Sequence, residues 1–296
     1  MKRLITRIAA VCTSALLLLT GCTENPEQSG TPAASTNTNT SDGSEITTEF
    51  KITSYDVGKG DAFLLQSPDY AVMIDTGYQT DGKSLTKKLM KNGVSTINTL
   101  IITHFDKDHV GGAAKILGSL KVENIYVPDY VSELDEYKEF KEAADKSSAK
   151  LNVMKAAENT SWEAGEVKFR LYAPNDTFYG KNEENDYSLA LYIQHGANTF
   201  LFPGDAENTR MEEIIKLGLG AVTFLKFPYH GNYLKKTELF LDAYAPKYTI
   251  VTSSAKEPAD PSTVETLQKR GVEAYYMQNG DVTVVSDGKT LTCTQK

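Results

Sequence analysis

Four side chains that bind divalent cations stand within the six residues His104-Phe105-Asp106-Lys107-Asp108-His109, and they follow at once on the apolar segment Thr99-Leu100-Ile101-Ile102-Thr103. The apolar segment predicts a buried strand that delivers His104 and its neighbours at its C-terminal end. In a loop, residues at i, i+2 and i+4 can point inward together, and the fifth position can reach a second ion. Gly111 and Gly112 are expected to let the chain turn sharply into a helix over 111–120. An Asp/His-rich surface turn would have the same composition. It would not account for two of the chain's four histidines lying in this one segment.

The surrounding pattern is dense from Phe50 onward. Residues 50–56, 62–66 and 71–75 read as short strands separated by Gly, Asp and Pro turns. Residues 83–92 have helical character and close at Gly93. Further strands are expected at 124–127, 167–173, 189–194, 199–202, 221–227 and 248–252, with helices near 133–146, 208–217 and 262–270 and closing strands at the end. Hairpins mixed with single β–α steps predict a layered α/β domain with mixed sheets. No second Gly/Pro/Ser-rich gap occurs, so one structured domain is expected over residues 50–296.

The first residues differ in kind. Lys2, Arg3 and Arg7 precede or open an apolar run from Ile8 to Leu19, and Leu19-Thr20-Gly21-Cys22 follows. A basic start, a short apolar run and small residues before a cut site describe a secretory signal peptide. The run is shorter than the ~20 residues that span a bilayer. Leu-Thr-Gly-Cys resembles the bacterial lipobox, whose cysteine is lipidated and becomes the new N-terminus; an ordinary secretory cut near a cysteine is the alternative. The expectation is a signal peptide over 1–21, a lipidated Cys22 with a flexible tether over 22–49, and an extracytoplasmic protein anchored to the cell membrane. Removing residues 1–21 takes away Lys2, Arg3 and Arg7 and no acidic residue, so the formal charge moves from −8 to −11. That balance counts against tight, non-specific binding of nucleic acid through Lys and Arg. It leaves phosphoesters open as substrates, because bound metal ions supply local positive charge. Cys12 lies in the signal and Cys22 is the expected anchor, which leaves Cys293, on a final strand and far from any activating cluster. A cysteine nucleophile is not expected.

The cluster is similar to the motif of the metallo-β-lactamase superfamily, written H-x-H-x-D-H, with Asp106 where the second His commonly sits. More narrowly, the chain resembles the soluble hydrolase domain of the ComEC family. The resemblance runs through six blocks in the family's order, from Tyr55 to the C-terminus. Besides the cluster, these are Asp56-Val57-Gly58-Lys59-Gly60-Asp61-Ala62, Met73-Ile74-Asp75-Thr76-Gly77, Asn185-Asp186-Tyr187-Ser188-Leu189, Phe202-Pro203-Gly204-Asp205-Ala206 and Lys226-Phe227-Pro228-Tyr229-His230-Gly231.

The resemblance implies a four-layer αββα sandwich with mixed sheets and a hydrolase site holding two divalent metal ions. His104 and Asp106 would bind the first ion, Asp108 and His109 the second, Asp205 would bridge them, and His230 would be the late histidine ligand. Asp205 alone could equally be a helix N-cap. Asp75 would orient a ligating histidine from behind. Asp108 would also orient the attacking hydroxide, and Lys226 either contacts a developing anion or is a solvated strand residue. No histidine supplies the superfamily's third motif; Asp186 or Asn185 stands there by position, with strand capping as the alternative. Tyr229 replaces the first His of the family's pair. Asp260 is either a replaced ligand or the cap of the helix after it. His195, before Gly196 in a hairpin turn, is expected at the surface.

The functional expectation is a metal-dependent hydrolase acting on phosphodiesters (nucleic acid or nucleotide). Hydrolysis of another ester, lactone or lactam, or a surface binding protein that has lost catalysis, are the alternatives. The oxygen-rich ligand set points to Mn²⁺, or to Zn²⁺ held weakly at one site. Contact with the membrane is expected through Cys22, and no stable protein partner is implied.

Overall fold

Alternation of apolar residues decides which way each strand faces. In the segment Phe63–Ser67, Phe63 and Leu65 belong to one buried cluster while Leu64 belongs to another; in Tyr70–Ile74, Val72 and Ile74 separate in the same way from Ala71 and Met73. A strand places successive side chains on opposite faces, so both faces of this sheet are covered. The computed structural model describes residues 47–180 and 184–296. The expected signal peptide, Cys22 and most of the expected tether lie outside the described residues.

In chain order the elements are β1 (Phe50–Ser54), β2 (Phe63–Ser67), β3 (Tyr70–Ile74), α1 (Gly82–Lys91), β4 (Thr96–Ile101), α2 (Lys107–Val110), α3 (Ala113–Leu117), β5 (Lys121–Pro128), α4 (Asp135–Lys146) and β6 (Lys150–Met154). Next come β7 (Asn159–Ala164), β8 (Val167–Tyr172), β9 (Ala190–His195), β10 (Asn198–Phe202), α5 (Asn208–Lys216), β11 (Phe224–Lys226), α6 (Thr237–Tyr244), β12 (Tyr248–Val251), α7 (Pro261–Lys269) and β13 (Glu273–Tyr276). The hairpin β14 (Val282–Ser286) and β15 (Leu291–Gln295) ends the chain.

Among the described residues the strands form two sheets, β15-β14-β1-β2-β3-β4-β5-β6 and β13-β12-β11-β10-β9-β8-β7. Their inner faces meet in a core containing Phe50, Phe63, Phe169, Phe200, Phe202 and Phe224. Helices α1, α3 and α4 cover the outer face of the first sheet, and α5, α6 and α7 that of the second. The layers are αββα, as the resemblance implies. Among the described residues no helix is long and apolar enough to cross a membrane.

Each sheet changes character at one strand. β3 pairs antiparallel with β2 and parallel with β4. β10 pairs antiparallel with β9 and parallel with β11. Strand ends beside such a reversal leave a crevice in which α/β proteins place their ligands. Asp75 follows β3 and His104 follows β4 closely; Asp205 follows β10 and His230 follows β11. The two sheets thus contribute equivalent ends to one place.

The expected helix over 111–120 is shorter, and a separate helical turn precedes it. One turn, α2, begins at Lys107, and α3 begins at Ala113. Asp108 and His109 therefore stand on a helical turn rather than in a loop. Gly111 and Gly112 have ordinary helical φ values of −56° and −79°. What requires glycine is contact: a Cβ on Gly112 would lie 2.3 Å from the Thr76 carbonyl oxygen.

Candidate metal centre

Three imidazoles reach the crevice, and each is held by its Nδ1. His109 Nδ1 lies 2.8 Å from Asp75 Oδ2, and Asp75 also accepts the Thr103 N–H and hydroxyl at 2.8 and 2.6 Å. Because the Thr103 hydroxyl donates to Asp75, its lone pair is left for His104 Nδ1 at 3.1 Å. His230 Nδ1 is 2.9 Å from Thr252 Oγ1. A protonated Nδ1 leaves Nε2 as the lone-pair nitrogen, the form that ligates a metal. Asp75 itself is held at φ 54° and Tyr229 and His230 at 49° and 52°. Such backbone costs about 1–3 kcal/mol per residue and persists where the surroundings enforce it, often at functional sites.

The Nε2 atoms converge. Asp205 Oδ2 is 3.2 Å from His109 Nε2 and 2.6 Å from His230 Nε2. Asp108 Oδ2 is 3.2 Å from His230 Nε2, and the two Nε2 atoms are 3.4 Å apart. Four ligand atoms around an ion bound at ~2.1 Å stand about 3.4 Å from one another. The His109 and His230 Nε2 atoms and Asp205 Oδ2 are close enough to share a cation, and Asp108 joins them through its contact with His230. Beside them, the His104 ring lies 4.1 Å from that of His109, and His104 Nε2 is 3.6 Å from Asp106 Oδ2. His104 Nε2 is buried with no hydrogen-bond partner, as expected of an atom made for a cation.

Charge points the same way. Burial would raise the carboxyl pKa of Asp108, but the His230 hydrogen bond and the charges of His109 and His230 outweigh it and hold it at about 2. Burial likewise opposes ionisation of Asp205, and His230, Lys226 and His109 together hold it well below the usual carboxylate range. Asp75, Asp106, Asp108 and Asp205 contact the imidazoles, and the Lys226 ammonium pairs with Asp61 and Asp205. Burial would lower the pKa of His109 and His230, but Asp205 and the neighbouring carboxylates raise it, and a cation ligated by neutral rings would take over that positive charge.

Other expected residues lie elsewhere or act otherwise. Asp186 is buried, and its Oδ1 accepts the N–H groups of Glu207 and Arg210 at 3.0 and 3.1 Å. It caps α5, and Asn185 bonds Glu207 through its side chain. Asp260 accepts the Tyr233 N–H at 2.7 Å, at the start of α7. Lys226 is neither solvated nor open to a substrate anion: it is 1% exposed and ion-paired on two sides. His195 is fully buried, 2.9 Å from Ser286 Oγ and edge-on to Phe50, which corrects the expectation of a surface residue. Cys293, on β15, is half-buried, and burial pushes its thiol up to about 12, so it is no nucleophile. The sequence reading gives Asp61 no role, yet one oxygen of it lies within 4.8 Å of ligand atoms of His109, Asp205 and His230. Its place in the block Gly58-Lys59-Gly60-Asp61-Ala62 is the available signal.

Two mixed sheets in an αββα sandwich, with histidines and carboxylates converging between their strand ends, define a metal-centre protein of the class that includes many hydrolases. The chain belongs to the metallo-beta-lactamase superfamily, whose model matches residues 55–251. Among curated proteins it is similar to Recombination protein 2 of Haemophilus influenzae, 25% identical over 214 residues, covering 71% of this chain and 25% of that protein. It is similar also to ComE operon protein 3 of Bacillus subtilis, 24% identical over 261 residues, covering 80% of this chain and 33% of that protein. The chain thus spans a quarter to a third of the length of these relatives. Among solved structures, the diiron β-hydroxylase CmlA from Streptomyces venezuelae has the same fold at a TM-score of 0.51 and 14% identity, covering 84% of this chain and 55% of that one.

Proposed function

We propose that the protein is a metal-dependent hydrolase of phosphodiesters (nucleic acid or nucleotide), with two divalent ions, Mn²⁺ or Zn²⁺, as cofactors. The observation that carries this reading is the convergence of the His109 and His230 Nε2 atoms on Asp205 Oδ2, with His104 Nε2 unpartnered beside them. Phosphodiesters are favoured by the six ComEC-like blocks and by similarity to relatives named for recombination and the ComE operon. Bound divalent ions supply a water of lowered pKa and polarise the bond it attacks. Asp108, His109, Asp205 and His230 would hold the inner ion, and His104 and Asp106 the outer, with Asp205 between them. The Asp108 side chain keeps 15% exposure, so it is an inner carboxylate that faces the open side. There it accepts a hydrogen bond from the attacking water and orients it. Three carboxylates among the six ligands suit Mn²⁺ better than a histidine-only cage would.

The test is hydrolysis of bis-p-nitrophenyl phosphate by protein loaded with Mn²⁺ or Zn²⁺. Asp108→Ala and His230→Ala are expected to lower turnover at least about a hundredfold, since each 1.36 kcal/mol is tenfold in rate. Circular dichroism should show the fold intact. Cleavage of only lactones, lactams or carboxylic esters would keep the hydrolase and remove the phosphodiester. No cleavage of any of them would leave a binding protein.

A further inference from the structure

The ammonium of Lys226 has no proton left to offer. It donates to Asp61 Oδ2 at 2.8 Å, to Asp205 Oδ1 at 2.7 Å and to the Gly204 carbonyl at 2.9 Å. A lysine has three donors and no acceptor, so these contacts exhaust it. Asp61 lies on the other side of this ammonium, 1% exposed, with Oδ1 unpartnered. Its oxygens come to 3.7 Å from His230 Nδ1 and 4.0 Å from His109 Nδ1. Those are the ring atoms already bonded to Thr252 and Asp75, not the Nε2 atoms that converge on Asp205 Oδ2. Asp61 is therefore near the metal centre without facing it.

We propose that Asp61 and Lys226 form an internal ion clamp. The ammonium takes the cation position between Asp61 and Asp205, keeps Asp61 out of the metal coordination, and leaves a single oxygen of Asp205 for the metals. Both are positioning residues. The inference rests on the metal-centre reading but on no substrate. Without the ammonium, two buried carboxylates would face each other uncompensated, a strongly unfavourable arrangement. A divalent ion is then the nearest cation able to compensate them, and Asp61 becomes a ligand.

The experiment titrates the full chain with Mn²⁺ by calorimetry and records the absorption spectrum of the Co²⁺-loaded protein, for wild type, Asp61→Asn, Lys226→Met and the double variant. Asp61→Asn is expected to bind the wild-type number of equivalents with the wild-type Co²⁺ spectrum, at an affinity about tenfold weaker, as for other residues that orient ligands. Lys226→Met should alter the Co²⁺ spectrum, and the double variant should restore it, because an amide in place of the Asp61 carboxylate offers no charge to the ion. Loss of an equivalent or a changed spectrum in Asp61→Asn would make Asp61 a ligand and overturn the clamp. A wild-type spectrum and affinity in Lys226→Met would show that the ammonium does not govern the coordination and overturn it equally. If Lys226→Met does not fold, the double variant carries neither charge and decides: wild-type equivalents support the clamp, and a lost equivalent refutes it. Because the readout is metal binding, absence of phosphodiesterase activity leaves this test unaffected.

Discussion

Four histidines share one chain, and the hydrogen bond at Nδ1 separates their fates. In His104, His109 and His230 that bond turns Nε2 towards the site. In His195 it ties the ring to Ser286, which Asn198 and the Gly288 N–H also contact. Burial lowers the His195 pKa below its ordinary 6.5, against the pull of Glu166 and Asp287. A group depressed in the folded state has stability present above its unfolded pKa and lost as pH falls through the folded one, because the unfolded chain takes the proton first. His195→Ala should cost about 2–3 kcal/mol at pH 7.5, from a cavity beside Phe50 and from a Ser286 hydroxyl that loses its His195 partner. It should also flatten the loss of stability between pH 7.5 and 5.5. Urea unfolding at both pH values checks this, and an unchanged midpoint at pH 7.5 would return His195 to the surface. The candidate ligands His104, Asp106, Asp108 and His109 were legible because they cluster in six residues, and Asp205 and His230 through the resemblance; the pairing of Asp61 with Lys226 was not. Their meaning lies in a contact across 165 positions, Asp61 to Lys226 at 2.8 Å, that no local pattern records.

At the scale of elements, periodicity read well where burial is one-sided or complete and poorly at edges. The strands that enter the core were expected, but β6 and β7 were not. Each ends its sheet, and their burial is shallow, with only Met154 and Ala164 fully covered. An edge strand has solvent on one side and little apolar alternation to show. The turn α2 ahead of α3 also escaped, because bonds from a distant segment separate the two: the Gly112 N–H donates to the Gly77 carbonyl, and the His109 carbonyl accepts from Thr76. Asp186 illustrates the reverse error, a carboxylate read as a metal ligand that serves a helix. With its Oδ1 on two N–H groups at the start of α5, Asp186→Ala should destabilise the protein by about 1–2 kcal/mol. Bound metal, measured by elemental analysis, should stay at the wild-type number of equivalents. Loss of an equivalent with unchanged stability would restore the ligand reading.

For the whole molecule, we propose that attachment to the membrane runs through Cys22, by the lipobox resemblance of residues 19–22. Two acyl chains or more are needed for stable retention, each methylene contributing about 0.8 kcal/mol. Cys22→Ser is expected to release the protein from membranes or to leave an unprocessed precursor, seen by fractionation and mass. A variant that matures and fractionates as wild type would refute the anchor. The final strands of the domain bear on its resistance to unfolding. The final hairpin does not extend the sheet to which β13 belongs; β14 lies against β1, and Val282 and Val284 pack with Phe50 and Ile52. The last strands brace the first, and the second sheet is enclosed between them in the sequence. Proteases cut chains that have opened, and local fraying is their usual point of attack. Pairing of β1 with β14 ties the first and last strands of the domain into one sheet, where fraying of either must break that ladder.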